Sequence, residues 1–296
     1  MNSSDRRSDV LVMVPGVMGS APDGAEAFHL AAIDSPQLLV TDFVATRGDG
    51  VFETLGAFDG TLVNVRPHLE RLTRSAAMID LPAPDLEVLT AALDAAVAAH
   101  EPVRELTVRL SLTRGVEGDD EPTCWIHART AEDYAPARAG LRVITLDRGL
   151  ATTAPATSPW LLAGAKTLSY AVNMAVLREA QRRGAEEVLF VSSDGYALEG
   201  PTSTLLVQRE DRFLTTPVSV GVLPGTSVTS AFDALRAMGR QCAEELLTPA
   251  QVKESQGAWL LSSGRLACPI THLDEVELPV DRELTARIGD AIAGRS

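Results

Sequence analysis

Apolar residues recur with two different periods along this 296-residue chain. In "ELTVRLSLTRG", Leu106, Val108, Leu110 and Leu112 alternate with polar residues, as in a strand with one buried face. "VFETLGAF" and "TLVNV" flank Asp59-Gly60, a dipeptide suited to the positive φ angles of a tight hairpin, so two paired strands are expected there. "RPHLERLTRSAAMI" places Leu69, Leu72, Ala76 and Ile79 at helical spacing, and "APDLEVLTAALDAAVAAH" repeats that pattern after Pro84. With "TCWIHAR" and "LRVITLD" as further strands, the first half reads as one sheet with two helices. The opening "DRRSDVLVMVPGVMGSA" reads as a flexible start leading into an edge strand. Asp5, Asp9, Pro15 and Gly16 break any likeness to a signal peptide.

Residues 149 to 165, "GLATTAPATSPWLLAGA", follow neither period, which sets the expected division: a first domain over 1–148, a connecting loop over 149–165 and a second domain over 166–296. Beyond the loop come a helix at about 168 to 182 stopped by Gly184, the strand "EEVLFVSS", a turn at Asp194-Gly195, and the strands "STLLVQ" and "RFLTTP". A helix follows "LPGTSV", and another starts at Thr248-Pro249, a cap residue with proline at the first helical position. "AWLLSS", "VEL" and a last helix from Asp281 complete the chain. Strands and helices mix without strict alternation, so the expected class is α+β.

Composition narrows the functions open to such a chain. Hydrophobic residues at 45% and charged residues at 22% are those of a globular protein. A net charge of -14 offers no basic field to nucleic acid or to an anionic membrane, so an anionic substrate needs a local arginine site. No apolar run is long enough to cross a membrane. Cys124, Cys242 and Cys268 show no Cys-x-x-Cys spacing, which fits a reducing cytoplasm without disulfides or zinc. The five histidines have no metal-ligand spacing, and neither metal nor catalytic role is assigned to them.

Of the 26 basic residues only two are lysines, Lys166 and Lys253. A chain that otherwise answers the need for positive charge with arginine keeps lysine inside "LLAGAKTLSY". The ordinary reading is a solvated surface lysine. Set among Leu161, Leu162, Ala163, Gly164, Ala165 and Leu168, however, an ammonium loses hydration and releases its proton more readily, and the neutral amine condenses with an aldehyde to a Schiff base. A Walker-type phosphate loop is excluded, because Ala165 and Trp160 occupy the places where that motif needs glycine.

Two other stretches carry candidate chemistry. "DGYALEGPTSTLLV" holds Glu199 at a strand end, either a solvated turn glutamate or a carboxylate that keeps a heteroaromatic nitrogen protonated, with Thr202, Ser203 and Thr204 beside it. "GVLPGTSVTSAF" puts Thr226 and Ser227 at a helix start, which serves either as a plain N-cap or as a phosphate site built of backbone N–H groups and hydroxyls. The Gly-x-Gly of "RGDGVFETL" precedes a strand and is read as a turn.

Taken in order, "GDGVFETL…HLERL…LTRG…AKTLSY…GYALEGPTST…TTP…LPGTS" resembles the class IV aminotransferase family, the fold-type IV enzymes that use pyridoxal 5′-phosphate, over about residues 47 to 270. The resemblance implies the D-amino-acid aminotransferase-like fold, with a small N-terminal and a larger C-terminal α/β domain, and a homodimer. It makes Lys166 the Schiff-base lysine and Glu199 the partner of the pyridine nitrogen. Arg71 in "HLERL", Thr226, Ser227 and Ser263 in "LLSSG" become the phosphate contacts, and Arg114 in "LTRG" meets a substrate carboxylate. The chain departs from the family at Val228, where arginine is usual, and lacks the histidine that D-amino-acid enzymes carry shortly after the arginine. The motifs look most like 4-amino-4-deoxychorismate lyase, which releases 4-aminobenzoate and pyruvate on the way to folate. An aminotransferase for D-amino acids or branched-chain amino acids is the alternative. A non-catalytic binding module on the same fold is a third reading, against which Lys166, Glu199 and Arg71 stand together.

Overall fold

In a computed structural model, which describes residues 8–19 and 25–295, the chain folds as two units. The first is Met1–Glu132 with Ala165–Tyr170, and the second is Asp133–Gly164 with Ala171–Ser296. Residues 1–7 of the expected flexible start lie outside the described residues.

In chain order the first unit contains β1 (Val10–Met13), β2 (His29–Ala31), α1 (Phe43–Arg47), β3 (Gly50–Phe58), β4 (Thr61–Leu62), α2 (Val65–Met78), α3 (Leu86–Ala99), β5 (Glu105–Thr113) and β6 (Thr123–Thr130). Its sheet runs β2-β1-β6-β5-β3-β4, antiparallel throughout. The expected hairpin is there: Asp59 (φ 49°) and Gly60 (φ 79°) take the two positive-φ positions of a tight turn between β3 and β4. Asp85 caps α3 by accepting from the backbone N–H groups of Glu87 and Val88. Leu69, Leu72, Leu89 and Leu93 of the two helices are fully buried with Leu55, Leu110 and Ile126 of the sheet. Each such side chain contributes about 1.5–3 kcal/mol through its burial. β1 is not the edge strand the sequence suggests, because β2 pairs along its outer side.

The second unit contains α4 (Ala135–Ala139), β7 (Leu141–Asp147), α5 (Ala154–Thr157), α6 (Ala171–Arg182), β8 (Glu187–Val191), β9 (Thr204–Arg209), β10 (Arg212–Thr215), α7 (Thr226–Ala237), β11 (Gln241–Glu244), α8 (Pro249–Lys253), β12 (Gly257–Ser262), β13 (Leu266–Leu273), β14 (Val276–Glu277) and α9 (Arg282–Ile292). Its sheet runs β11-β10-β9-β12-β13-β7-β8, with β14 on β13. β7 pairs in parallel with both β13 and β8. Thr248 and Gln251 close a reciprocal capping box at the start of α8. Buried Trp259 donates from Nε1 to the Thr285 hydroxyl of α9 at 2.7 Å, which ties that helix to β12.

Three sequence expectations change. By its pairing with β8 and β13, β7 (Leu141–Asp147) joins the second sheet, and the compact units meet in sequence near residue 132, where the sequence reading set a first domain over 1–148 and a connecting loop over 149–165. Residues 165–170 return to the first unit: Phe52 N–H donates to the Lys166 carbonyl at 3.0 Å and Leu168 N–H to the Gly50 carbonyl at 2.8 Å. The helix expected from about 168 therefore starts at Ala171, after an extended segment. β2, β11 and β13 had no strand assigned to them; β13 is apolar nearly throughout, without the alternation that marks a half-buried strand.

Candidate active site

Lys166 sits in the extended segment laid against β3. Gly50 permits that approach, since a Cβ there would come within 2.8 Å of Leu168 Cδ1 and 2.6 Å of the Leu112 carbonyl. The Lys166 backbone N–H donates to Ser75 Oγ at 3.1 Å, and its half-buried side chain places Nζ 4.4 Å from the centre of the Phe52 ring. An ammonium on an aromatic face is attracted by the ring quadrupole. Tyr170 meets the same ring edge-on, 5.3 Å between centroids.

Ser75 lies one helical turn after Arg71 on α2, so the candidate lysine and the candidate phosphate arginine share one helix face. Arg71 is 7% exposed. Its Nε donates to Glu53 Oε1 at 2.8 Å and its Nη2 to Glu53 Oε2 at 2.7 Å. His68 Nδ1 is 2.7 Å from the same Oε2. Burial pushes the Glu53 carboxyl upward, but the charge and hydrogen bonds of Arg71, with those of His68, outweigh it and hold the pKa at about 2. Burial lowers the His68 pKa, Glu53 opposes that, and the charges of Arg71 and Lys166 add to the lowering. The imidazole is thus neutral at pH 7, with Nδ1–H donating to an ionised Glu53. Arg114 is oriented elsewhere: Nε and Nη2 donate to Asp49 at 2.7 and 3.3 Å, and Nη2 also donates to the Ile79 carbonyl at 2.5 Å just past α2.

In the second unit, a reversal at Asp194-Gly195 brings Glu199 back beside the end of β8, where Phe190 N–H donates to its carbonyl at 2.9 Å. Its carboxylate accepts from Leu223 N–H, at 3.2 Å to each oxygen. Two residues on, Gly225 is the N-cap of α7; a Cβ there would fall on the Thr204 hydroxyl. Thr226 and Ser227 open the helix, both buried, and no acidic residue lies in its first turn. Ser227 Oγ is 3.5 Å from Ser263 Oγ in the turn after β12. The segment 223–227 thus gathers Glu199, the helix start and Ser263.

Sequence reasoning missed Glu53, His68 and Phe52. All three lie in the quoted motifs "GDGVFETL" and "HLERL", but a glutamate inside an apolar strand signals a buried partner without naming it. Among the described residues no group of histidines, cysteines and carboxylates could hold a metal ion.

In the first unit a lysine amine over an aromatic ring suits a carbonyl compound, and in the second a helix start with hydroxyls and no acid in its first turn suits a phosphate. The comparisons agree. The family model of amino-transferase class IV matches residues 50–273. A bifunctional aminodeoxychorismate lyase / D-amino acid transaminase from Mycobacterium tuberculosis is 44% identical over 255 residues, 82% of this chain and 88% of the relative. A fold IV transaminase structure from Curtobacterium pusillum superposes with a TM-score of 0.93 at 43% identity, covering 97% of this chain and 98% of that one. A hypothetical aminotransferase from Mycobacterium tuberculosis in its PLP-bound form gives a TM-score of 0.88 at 40% identity, covering 97% and 99%.

The chain belongs to the class IV aminotransferase family. It is a pyridoxal 5′-phosphate-dependent enzyme with the two-domain α+β fold of fold-type IV, as the resemblance implies.

Proposed function

We propose that this enzyme is a 4-amino-4-deoxychorismate lyase that releases 4-aminobenzoate and pyruvate, and that the same site transaminates D-amino acids. The observation that carries the reading is the setting of Lys166: a backbone pinned on both sides and an amine on the Phe52 ring. The choice of reaction is supported by the relative at 44% identity, whose name joins the two activities.

The residues present fit the cofactor. Thr226, Ser227 and Ser263 supply hydroxyls, α7 supplies backbone N–H groups, and Gly225 keeps that helix start free of a Cβ. Arg71 supplies a cation to the phosphate, its guanidinium oriented by Glu53. Glu199, steadied by Leu223 N–H, keeps a proton on the pyridine nitrogen. The bound cofactor supplies a carbonyl for the amine and a ring that takes up an electron pair. Lys166 is its tether, and once displaced by the substrate amine it accepts the proton from the amine-bearing carbon at Nζ. In the lyase reaction the pyruvate enol leaves from the neighbouring carbon; in transamination Lys166 delivers the proton back. Arg114 is a candidate for a substrate carboxylate, which it would meet by giving up part of its present bonds to Asp49, Ile79 and Asp80.

Free Cys124, Cys242 and Cys268 support a place in the reducing cytoplasm, and among the described residues no helix is long and apolar enough to cross a membrane. A homodimer is proposed with the fold and is read by light scattering. The deciding assay measures 4-aminobenzoate and pyruvate from aminodeoxychorismate beside exchange between D-alanine and 2-oxoglutarate. Turnover of the second pair alone removes the lyase assignment.

A further inference from the structure

The C-terminal helix α9 packs on β13 with α4 alongside, and between these elements the second unit keeps a cavity of about 310 Å³. Small residues hold it open: Ala267 and Gly289 are buried in its wall, and Ala286 is exposed on the α9 side. A Cβ on Gly289 would meet Leu266 Cβ at 3.9 Å, an ordinary contact, so the glycine leaves room that another side chain would take. Leu266 and Pro269, both buried, complete an apolar floor. Leu266 does so from a left-handed backbone, φ 63°, which a bulky side chain rarely adopts.

Around that floor stand three arginines, Arg138, Arg282 and Arg295, against one carboxylate, Asp290. In a chain of net charge -14 this is a local reversal of sign. Asp290 is turned to Arg295, at 3.8 Å. Arg138 is oriented by the turn before β13, donating from Nε to the Arg265 carbonyl and from Nη2 to the Gly264 carbonyl, both at 3.1 Å. Arg282 has no carboxylate within ion-pair distance among the described residues. Its acidic neighbours in sequence are engaged elsewhere: Asp281 accepts from Leu284 N–H at 2.9 Å as the cap of α9, and Glu283 pairs with Arg287 at 3.2 Å.

We propose that this cavity binds a small monocarboxylate with an apolar body, its carboxylate at Arg282 on the rim and its body on Leu266, Pro269 and Gly289. The site lies wholly in the second unit and uses neither Lys166 nor the start of α7. A guanidinium fork matches the two oxygens of a carboxylate. Inorganic phosphate would have to give up hydration against an apolar floor, whereas a carboxylate on a hydrocarbon body buries the body and keeps its charge at the rim. Small-molecule pockets begin at about 300 Å³, so one ring or a short branched chain is the size that fits.

The test is isothermal titration calorimetry of the holoenzyme with benzoate. Separate titrations use formate, which lacks the body, benzyl alcohol, which lacks the charge, and inorganic phosphate. Benzoate is expected to bind about tenfold or more tightly than each of the others. Arg282→Ala, which removes the charge, and Ala286→Phe, which fills the space, are each expected to weaken benzoate about tenfold. Both positions are exposed on α9, and both variants are expected to keep half-saturation by pyridoxal 5′-phosphate within about twofold of native. Benzoate affinity within about threefold of native in Arg282→Ala overturns the proposal. Should that variant fail to fold or lose cofactor affinity as well, the same result in Ala286→Phe overturns it. Phosphate binding as tightly as benzoate, or no benzoate binding to the native holoenzyme, overturns it too.

Discussion

Glu53 on β3 and Arg71 on α2 are joined by two hydrogen bonds, 2.8 and 2.7 Å, with Glu53 fully buried and Arg71 nearly so. The pair fixes the helix to the strand and aims the guanidinium. Removing one member leaves the other charge buried and unpaired, which costs more than the pair itself contributes. Glu53→Gln is expected to lower unfolding free energy by about 3 kcal/mol and to weaken cofactor binding at least tenfold. Urea melts and a cofactor titration read the two effects, and unchanged values in both would remove Glu53 from the account.

The same residue sets a pH dependence. Its folded pKa of about 2 lies below the ordinary 4.5, so its stabilisation is complete above pH 4.5 and is lost as pH falls toward 2. His68 acts in the same direction. Its folded pKa is lowered by burial, so acid favours the unfolded chain, where the imidazole protonates more readily. The stability gap between native protein and Glu53→Gln should therefore narrow steadily between pH 5 and pH 2. A gap independent of pH would mean that the carboxylate charge contributes nothing.

Lys166→Ala is expected to abolish both the lyase and the transaminase activity while leaving the far-ultraviolet circular dichroism unchanged. Borohydride reduction of the native holoenzyme should fix cofactor to the peptide that contains Lys166, and to none containing Lys253, which pairs with Asp274 at 2.8 Å. Label on the Lys253 peptide, or turnover by the alanine variant, refutes the proposed chemistry.

At the start of α7, Gly225→Ala puts a methyl on the Thr204 hydroxyl. The helix start must shift, carrying with it the N–H groups and hydroxyls of Thr226 and Ser227. We expect cofactor affinity to fall about tenfold or more, a loss of about 1.4 kcal/mol or more, with part regained in the double variant with Thr204→Ala. Equal affinity in Gly225→Ala would place the phosphate elsewhere.

By itself the sequence determined the local elements and the types of chemistry available. Alternation marked β5, Asp59-Gly60 marked the hairpin, and helical spacing marked α2 and α3, because each signal comes from neighbours a few residues apart. The rarity of lysine singled out Lys166, and "GTS" opening a helix singled out a phosphate-type start. Pairing across long separations was decided only by the tertiary structure. Nothing local tells β7 to join the second sheet, whose strands β8 and β13 lie far along the chain, or brings Lys166 back onto β3. Nor does spacing reveal that Glu53 pairs with Arg71 and orients it, while Arg109 lies over the Phe52 ring with no carboxylate within ion-pair distance among the described residues. A charged residue looks alike in sequence whether it is paired or waiting for a ligand. Strand register and helix packing decide which carboxylates come within reach of each arginine, and so how each guanidinium is oriented.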